Sequence, residues 1–142
     1  MDGKRVINGT FGEVWMDSDK LADCFGLQAK IDIKKEDVPI CGKLGTSKKV
    51  TGWDGKGSVK MNKINSRMSL KLKQMLKDGK DVRVTIISKL ADPDAFGSER
   101  VVLKSVSFDD LTLADWENAK PGQIECPFTF EDYDYLDEIQ PQ

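Results

Sequence analysis

Val82, Val84 and Ile86 alternate with Arg83 and Thr85, and the run continues through Ile87 to Leu90. A period of two carried by β-branched residues fits a pleated strand and not a helix. Residues 91–98 turn around Pro93 and Gly97, and residues 100–108 run back. There Val102, Val106 and Phe108 fall on one side and Val101 and Leu103 on the other, which implies a strand covered on both faces. Leu27, Ala29, Ile31 and Ile33 alternate with Gln28, Lys30, Asp32 and Lys34, the pattern of a strand with one wet face. Ile124, Cys126, Phe128 and Phe130 repeat it with Glu125, Thr129 and Glu131 between them, and Pro127, which lacks an amide donor, belongs at an edge or a bulge. Shorter strands are expected at 13–16 and 21–25, joined by the turn Asp17-Ser18-Asp19, and at 58–64, where Lys63 and Ile64 break the alternation.

Against this β background only residues 66–79 carry a helical pattern. Met68, Leu72, Met75 and Leu76 make an apolar arc of about 100°. Asn65 or Ser66 can cap the start, Gly79 offers a left-handed stop, and Lys71, Lys73 and Lys77 lie toward the C-terminal end, where the helix dipole favours cations. Leu70 projects opposite the arc, either as an ordinary exposed leucine or as a contact with a second subunit.

Periodicity fails over residues 38–57. Pro39 and glycines 42, 45, 52, 55 and 57 mark a long loop, with lysines at 43, 48, 49 and 56. A purely solvated excursion has no use for Ile40, Leu44, Val50 and Trp53, so these residues suggest docking. Residues 1–12 read as a loose arm entering the first strand. Residues 109–116 make a tight link whose Trp116 is expected to plug the end of the core, and residues 132–142 form an acidic final strand or tail.

The chemistry of an enzyme is missing. The chain has no histidine, and Cys24, Cys41 and Cys126 are widely spaced, which suits free thiols better than a zinc site. Residues 42–48 lack the spacing of a phosphate-binding loop, and no dinucleotide fingerprint is present. Asp92-Pro93-Asp94 lacks the remaining ligands of a calcium loop, and Asp109, Asp110 and Asp115 suit turns and caps better than paired catalytic acids. No catalytic, cofactor or metal residue is therefore assigned. A net charge of −2 without long single-sign blocks argues against electrostatic capture of nucleic acid. With no apolar run of membrane-spanning length and no signal-peptide pattern at residues 1–5, the chain is expected to be soluble, made in the cytoplasm and without a membrane partner. Its 142 residues make a single domain.

Residues 87–97, Ile-Ser-Lys-Leu-Ala-Asp-Pro-Asp-Ala-Phe-Gly, continuing through Glu99-Arg100-Val101 to Val106-Ser107-Phe108-Asp109, resemble the tail tube proteins of contractile-tailed phages and phage-derived particles. Pro127-Phe128-Thr129-Phe130-Glu131-Asp132-Tyr133 is similar to that family's closing strand. Residues 10–17, 41–45, 51–52 and 65–66 fall in the matching order, so the likeness runs over about residues 7–139. It implies a mainly β fold, two packed antiparallel sheets forming a barrel or sandwich with one flanking α-helix, related to the type VI secretion tube protein. It further implies a host-made structural subunit, not an enzyme, that joins copies of itself into stacked, typically hexameric rings inside a contractile sheath, in a virion or phage-like particle tail. Sheath, baseplate or initiator, and tape-measure proteins are the implied partners, and DNA passes through the lumen if the particle carries a genome.

By the same resemblance, residues 38–57 correspond to the ring-stacking loop, with Ile40, Leu44, Val50 and Trp53 as its contacts, and the N-terminal arm and C-terminal segment reach neighbouring subunits. The polar faces of residues 28–34 and 83–89 are candidates for the lumen wall. The reading from a different class is a monomeric β-sandwich whose glycine-rich loop and Trp53 hold a peptide or glycan.

Overall fold

Every strand pairing in the computed structural model is antiparallel, as the alternation requires. The structure describes residues 2–62, 70, 73, 76–94, 97–110, 113–114 and 116–139. Its strands are β1 (Gly12–Met16), β2 (Asp19–Lys20), β3 (Cys24–Val38), β4 (Ser47–Asn62), β5 (Val84–Leu90), β6 (Glu99–Phe108), β7 (Gln123–Phe130) and β8 (Asp132–Asp137). They form one continuous sheet in the order β2-β1-β5-β6-β7-β4-β3, with β8 added beside β6. The mainly β fold expected from the sequence is present, but as a single open sheet that doubles back on itself and not as two separate ones.

A bulge makes the doubling possible. The β5–β6 register slips between Val84 and Ile86, where Ser105 on β6 takes φ 53° and the extra residue bends the strand. Beyond it Ser107 and Phe108 pair with β7, whereas residues 100–104 pair with β5 and β8. The same insertion shifts the phase, so Leu103 shares the core with Val106 and Phe108 instead of opposing them. Val102, on the other face, is also nearly buried, so the expectation of a doubly covered strand holds with its sides reassigned.

The core lies between the two halves of the folded sheet. Val14, Met16, Val84 and Ile86 come from one half and Val59, Met61, Cys126, Phe128 and Phe130 from the other. Leu21 joins them from the turn after β2, its N–H donating to the Val14 carbonyl, so of the expected strand at 21–25 only Cys24 and Phe25 are extended, as the start of β3. The Asp17–Ser18 turn has φ of 48° and 75°, the double left-handed geometry of a tight hairpin, and Asp17 Oδ1 accepts from the Thr85 N–H at 3.0 Å. Pro127 sits where β7 parts from β6; its carbonyl accepts from Asp109 N–H on the β6 side, so its missing donor removes no rung from the β4 ladder.

Two burial expectations change. Trp116 is 83% exposed and does not plug the core, whose aromatic packing includes Phe108 and Phe128, edge to face at 6.0 Å. Leu76 is exposed, not buried. The helical residues that are described are Leu70, Lys73 and Leu76–Asp78, followed by Gly79 at φ 67°, the left-handed stop; the rest of the predicted helix, including Met68, Leu72 and Met75, lies outside the described residues.

The segment before β1 is not loose either. It forms two 3-10 turns, Gly3–Arg5 and Gly9–Phe11, clipped to the β5–β6 connection. Asn8 N–H donates to Asp92 Oδ2 at 2.8 Å, Asp94 N–H donates to Asp92 Oδ1 at 2.9 Å, and Arg5 Nη1 donates to the Asp94 carbonyl at 3.0 Å. Asp92 is 8% exposed, so its carboxylate depends on those amides. Asp92→Ala is expected to cost about 2–3 kcal/mol and to open residues 2–11 to proteolysis; a denaturant midpoint and limited digestion check both effects.

Candidate functional site

The longest connection predicted from the sequence does not exist as a loop. Residues 47–57 belong to β4, which pairs with β3 from Val38↔Ser47 to Cys24↔Met61, leaving only residues 39–46 as a turn. The correction is physical. Gly55, Gly57, Val59 and Met61 share one face of β4, a period of two that glycine disguises. A Cβ on Gly55 would lie 2.5 Å from the Phe130 ring, and one on Gly57 would lie 2.3 Å from the Gln28 carbonyl and 2.6 Å from the Phe128 ring. These glycines let two phenylalanines of β7 lie across the β4 backbone. They are structural residues that sequence reasoning took for loop punctuation.

The β3–β4 hairpin is longer than the sheet beneath it. β4 pairs with β7 only from Asn62↔Gln123 to Gly55↔Phe130, so over residues 32–38 and 47–54 the two strands have only each other among the described residues. An isolated two-stranded ribbon is marginal in water. This arm carries the ion pairs Lys34–Asp54 at 3.2 Å and Lys48–Asp37 at 3.7 Å; all four side chains are exposed, so each pair contributes about 0–1 kcal/mol. β3 also ends the sheet path, and along its 15 residues the outer edge has no strand beside it among the described residues. The other end of the path is the two-residue β2. Unpaired backbone of that length is an assembly or aggregation surface.

The four residues expected to contact a neighbour are spread along this arm. Ile40 and Leu44 are in the tip, Leu44 fully exposed. Val50 stands on the arm opposite Lys35, just past a bulge at Thr51. Trp53 is at the base opposite Ile33, its ring 6.3 Å from Phe130 and 5.9 Å, edge to face, from Tyr133. With the Phe128–Phe130 contact at 6.3 Å, an aromatic ladder runs from the core to the foot of the arm. Trp53 thus anchors the arm within its own chain, while Ile40, Leu44 and Val50 project beyond it. Leu70 is 68% exposed and lies apart from the arm in sequence.

The hairpin has two unlike faces. Leu27 and Ile31 pack against the core, and Ile33 and Trp53 continue the apolar face. The other face presents Lys30, Asp32 and Lys34 beside Asp54, Lys56 and Lys60, and extends to Glu125 on β7. Like charges stand directly opposite at Lys30↔Lys56 and Asp32↔Asp54, offset by the diagonal contacts Lys56–Asp32 at 3.9 Å and Lys34–Asp54. Of the three thiols, Cys41 is exposed in the tip, Cys126 is buried, and Cys24 is half-buried, burial pushing its pKa up so that it stays protonated at neutral pH.

A family model described as phage tail tube protein matches residues 1–137. Protein XkdM of the phage-like element PBSX of Bacillus subtilis (strain 168) is 30% identical over 141 residues, covering 98% of this chain and 96% of that protein. A solved structure of a Bacillus subtilis protein is 32% identical, covers 93% of this chain and 96% of its own, and superposes with a TM-score of 0.55. A chain in the sheath–tube complex of an extracellular contractile injection system, at 7% identity, superposes with a TM-score of 0.74 over 92% of this chain and 90% of its own, a likeness of fold alone.

Proposed function

Because this chain belongs to the phage tail tube protein family, a family of structural tube subunits, we propose that its copies close into rings, hexameric as is typical of tail tubes, and that the rings stack into a conduit. The observation that carries the reading is the free 15-residue edge of β3 joined to an arm that has left its own sheet. Pairing β3 with an edge of the adjacent subunit satisfies its open backbone groups in a closed cycle, and the arm reaches past the ring plane to the next ring. The doubled-back sheet leaves one broad polar surface, the outer face of β3, β4 and β7, and this face lines the lumen. Lys30, Lys34, Lys56 and Lys60 are offset there, all but one charge, by Asp32, Asp54 and Glu125. A near-neutral wall binds phosphates weakly, so DNA slides along it when the particle carries a genome.

Sheath and baseplate proteins are the expected partners of the tube exterior and end. The matching chain from a sheath–tube complex supports that assignment through its fold. A monomeric binding module is the weaker reading, since the aromatic proposed to hold its ligand, Trp53, is engaged by Phe130 and Tyr133.

A concentration series of the purified protein, viewed in negative stain and sized by sedimentation, tests the proposal. Rings or tubes with a hollow axis are expected. A subunit that stays monomeric at every concentration, with or without a baseplate initiator, overturns it.

A further inference from the structure

The sheet leaves a cleft of about 840 Å³ between the segment around Gly9–Val14 and the start of β3. Phe11, Leu21, Phe25 and Leu90 supply apolar walls, with Cys24 among the lining residues. β1 pairs with β2 only at Trp15 and Met16, so the outer edge of Gly12 and Glu13 borders this cleft with no strand beside it among the described residues. Phe11 and Phe25 are 43% and 53% exposed there.

We infer that, in the stacked rings proposed above, the cleft receives the residue 39–46 tip of the β3–β4 hairpin from a subunit of the adjacent ring. The cleft lies at the Cys24–Leu27 end of β3 and the tip follows Val38, so the two occupy opposite poles of one hairpin, about 45 Å apart by strand rise. Copies related by a shift along the hairpin therefore meet tip to cleft. Such a contact is heterologous and does not close, which is the symmetry a growing filament needs. The tip brings Ile40 and Leu44, which are 45% and 107% exposed.

The area explains why the contact belongs to stacked rings and not to a pair of subunits. Two aliphatic side chains bury roughly 200–300 Å², far below the about 1,200–2,000 Å² of a stable interface. One tip cannot hold two subunits together, but a whole ring of tips engages at once, and the later contacts are intramolecular.

Native cysteines report the contact directly. Cys41 rides on the tip and Cys24 lines the cleft, whereas the buried Cys126 serves as an internal control. Assembled tubes treated with a short bismaleimide are expected to give covalent multimers joined through a Cys24–Cys41 peptide in mass spectrometry, lost in both Cys24→Ser and Cys41→Ser. Tubes that form but give only Cys41–Cys41 links, or none, overturn the cleft assignment and leave the tube reading standing. Failure of any tube to form overturns the tube reading and this inference with it. As a second measurement, Phe11→Glu alters a cleft residue that is already exposed and lies off β3, and so leaves the subunit folded and the ring-forming edge unchanged. It is expected to raise the concentration needed for tubes about tenfold or more, while ring formation persists. Unchanged assembly of that variant also overturns the assignment.

Discussion

Gly57→Ala is expected to destabilise the subunit by about 3 kcal/mol or more, a large fraction of the about 5–15 kcal/mol stability of ordinary domains. The new methyl meets the Gln28 carbonyl at 2.3 Å and the Phe128 ring at 2.6 Å. Phe128 is 1% exposed and cannot swing aside, and the carbonyl belongs to the paired strand β3. Gly55→Ala meets only the Phe130 ring among its nearest atoms, so it should be partly relieved by Phe130→Leu, with the double variant losing less than the sum of the two. Gly52→Ala meets nothing within 4 Å and should change stability by no more than about 0.5 kcal/mol. Urea midpoints for the set check the argument. Equal, small losses at all three glycines would mean that the phenylalanine rings do not lie across β4.

Replacing residues 36–49 with Asn-Gly, a two-residue turn that closes the Lys35–Val50 pair, is expected to abolish tubes while leaving the fold intact. None of the core residues falls in the deleted stretch, and its Lys48–Asp37 ion pair is exposed on both sides, so the urea midpoint should stay within about 0.5 kcal/mol of the parent. Rings formed through the β3 edge should survive, since residues 24–35 of that strand remain. Sedimentation would then show single rings where the parent gives long polymers, a loss of stacking of at least about a hundredfold in polymer mass if tips act together. Normal tubes from the shortened chain would mean that rings stack through another surface.

The strands at 82–90 and 123–130 were legible because their apolar residues keep a period of two and their side chains meet the core in phase. The same rule misassigned 101–108, because the bulge at Ser105 inserts one residue and no residue type there announces it. It misread 47–57 for a different reason: Gly55 and Gly57 occupy buried positions where the side chains come from β7, so the apolar signal sits on the partner strand, more than sixty residues away in sequence. The residues Ile40, Leu44 and Val50 could be picked out locally, as apolar groups with no periodic neighbours, but their separation from Trp53 could not. By itself, then, the sequence determined that this chain is a mainly β protein, since alternation and residue type are local properties. Only the tertiary structure decided which strand ends the sheet, how far the hairpin overshoots it and where the cleft opens, because those follow from pairings between distant segments that no local pattern encodes.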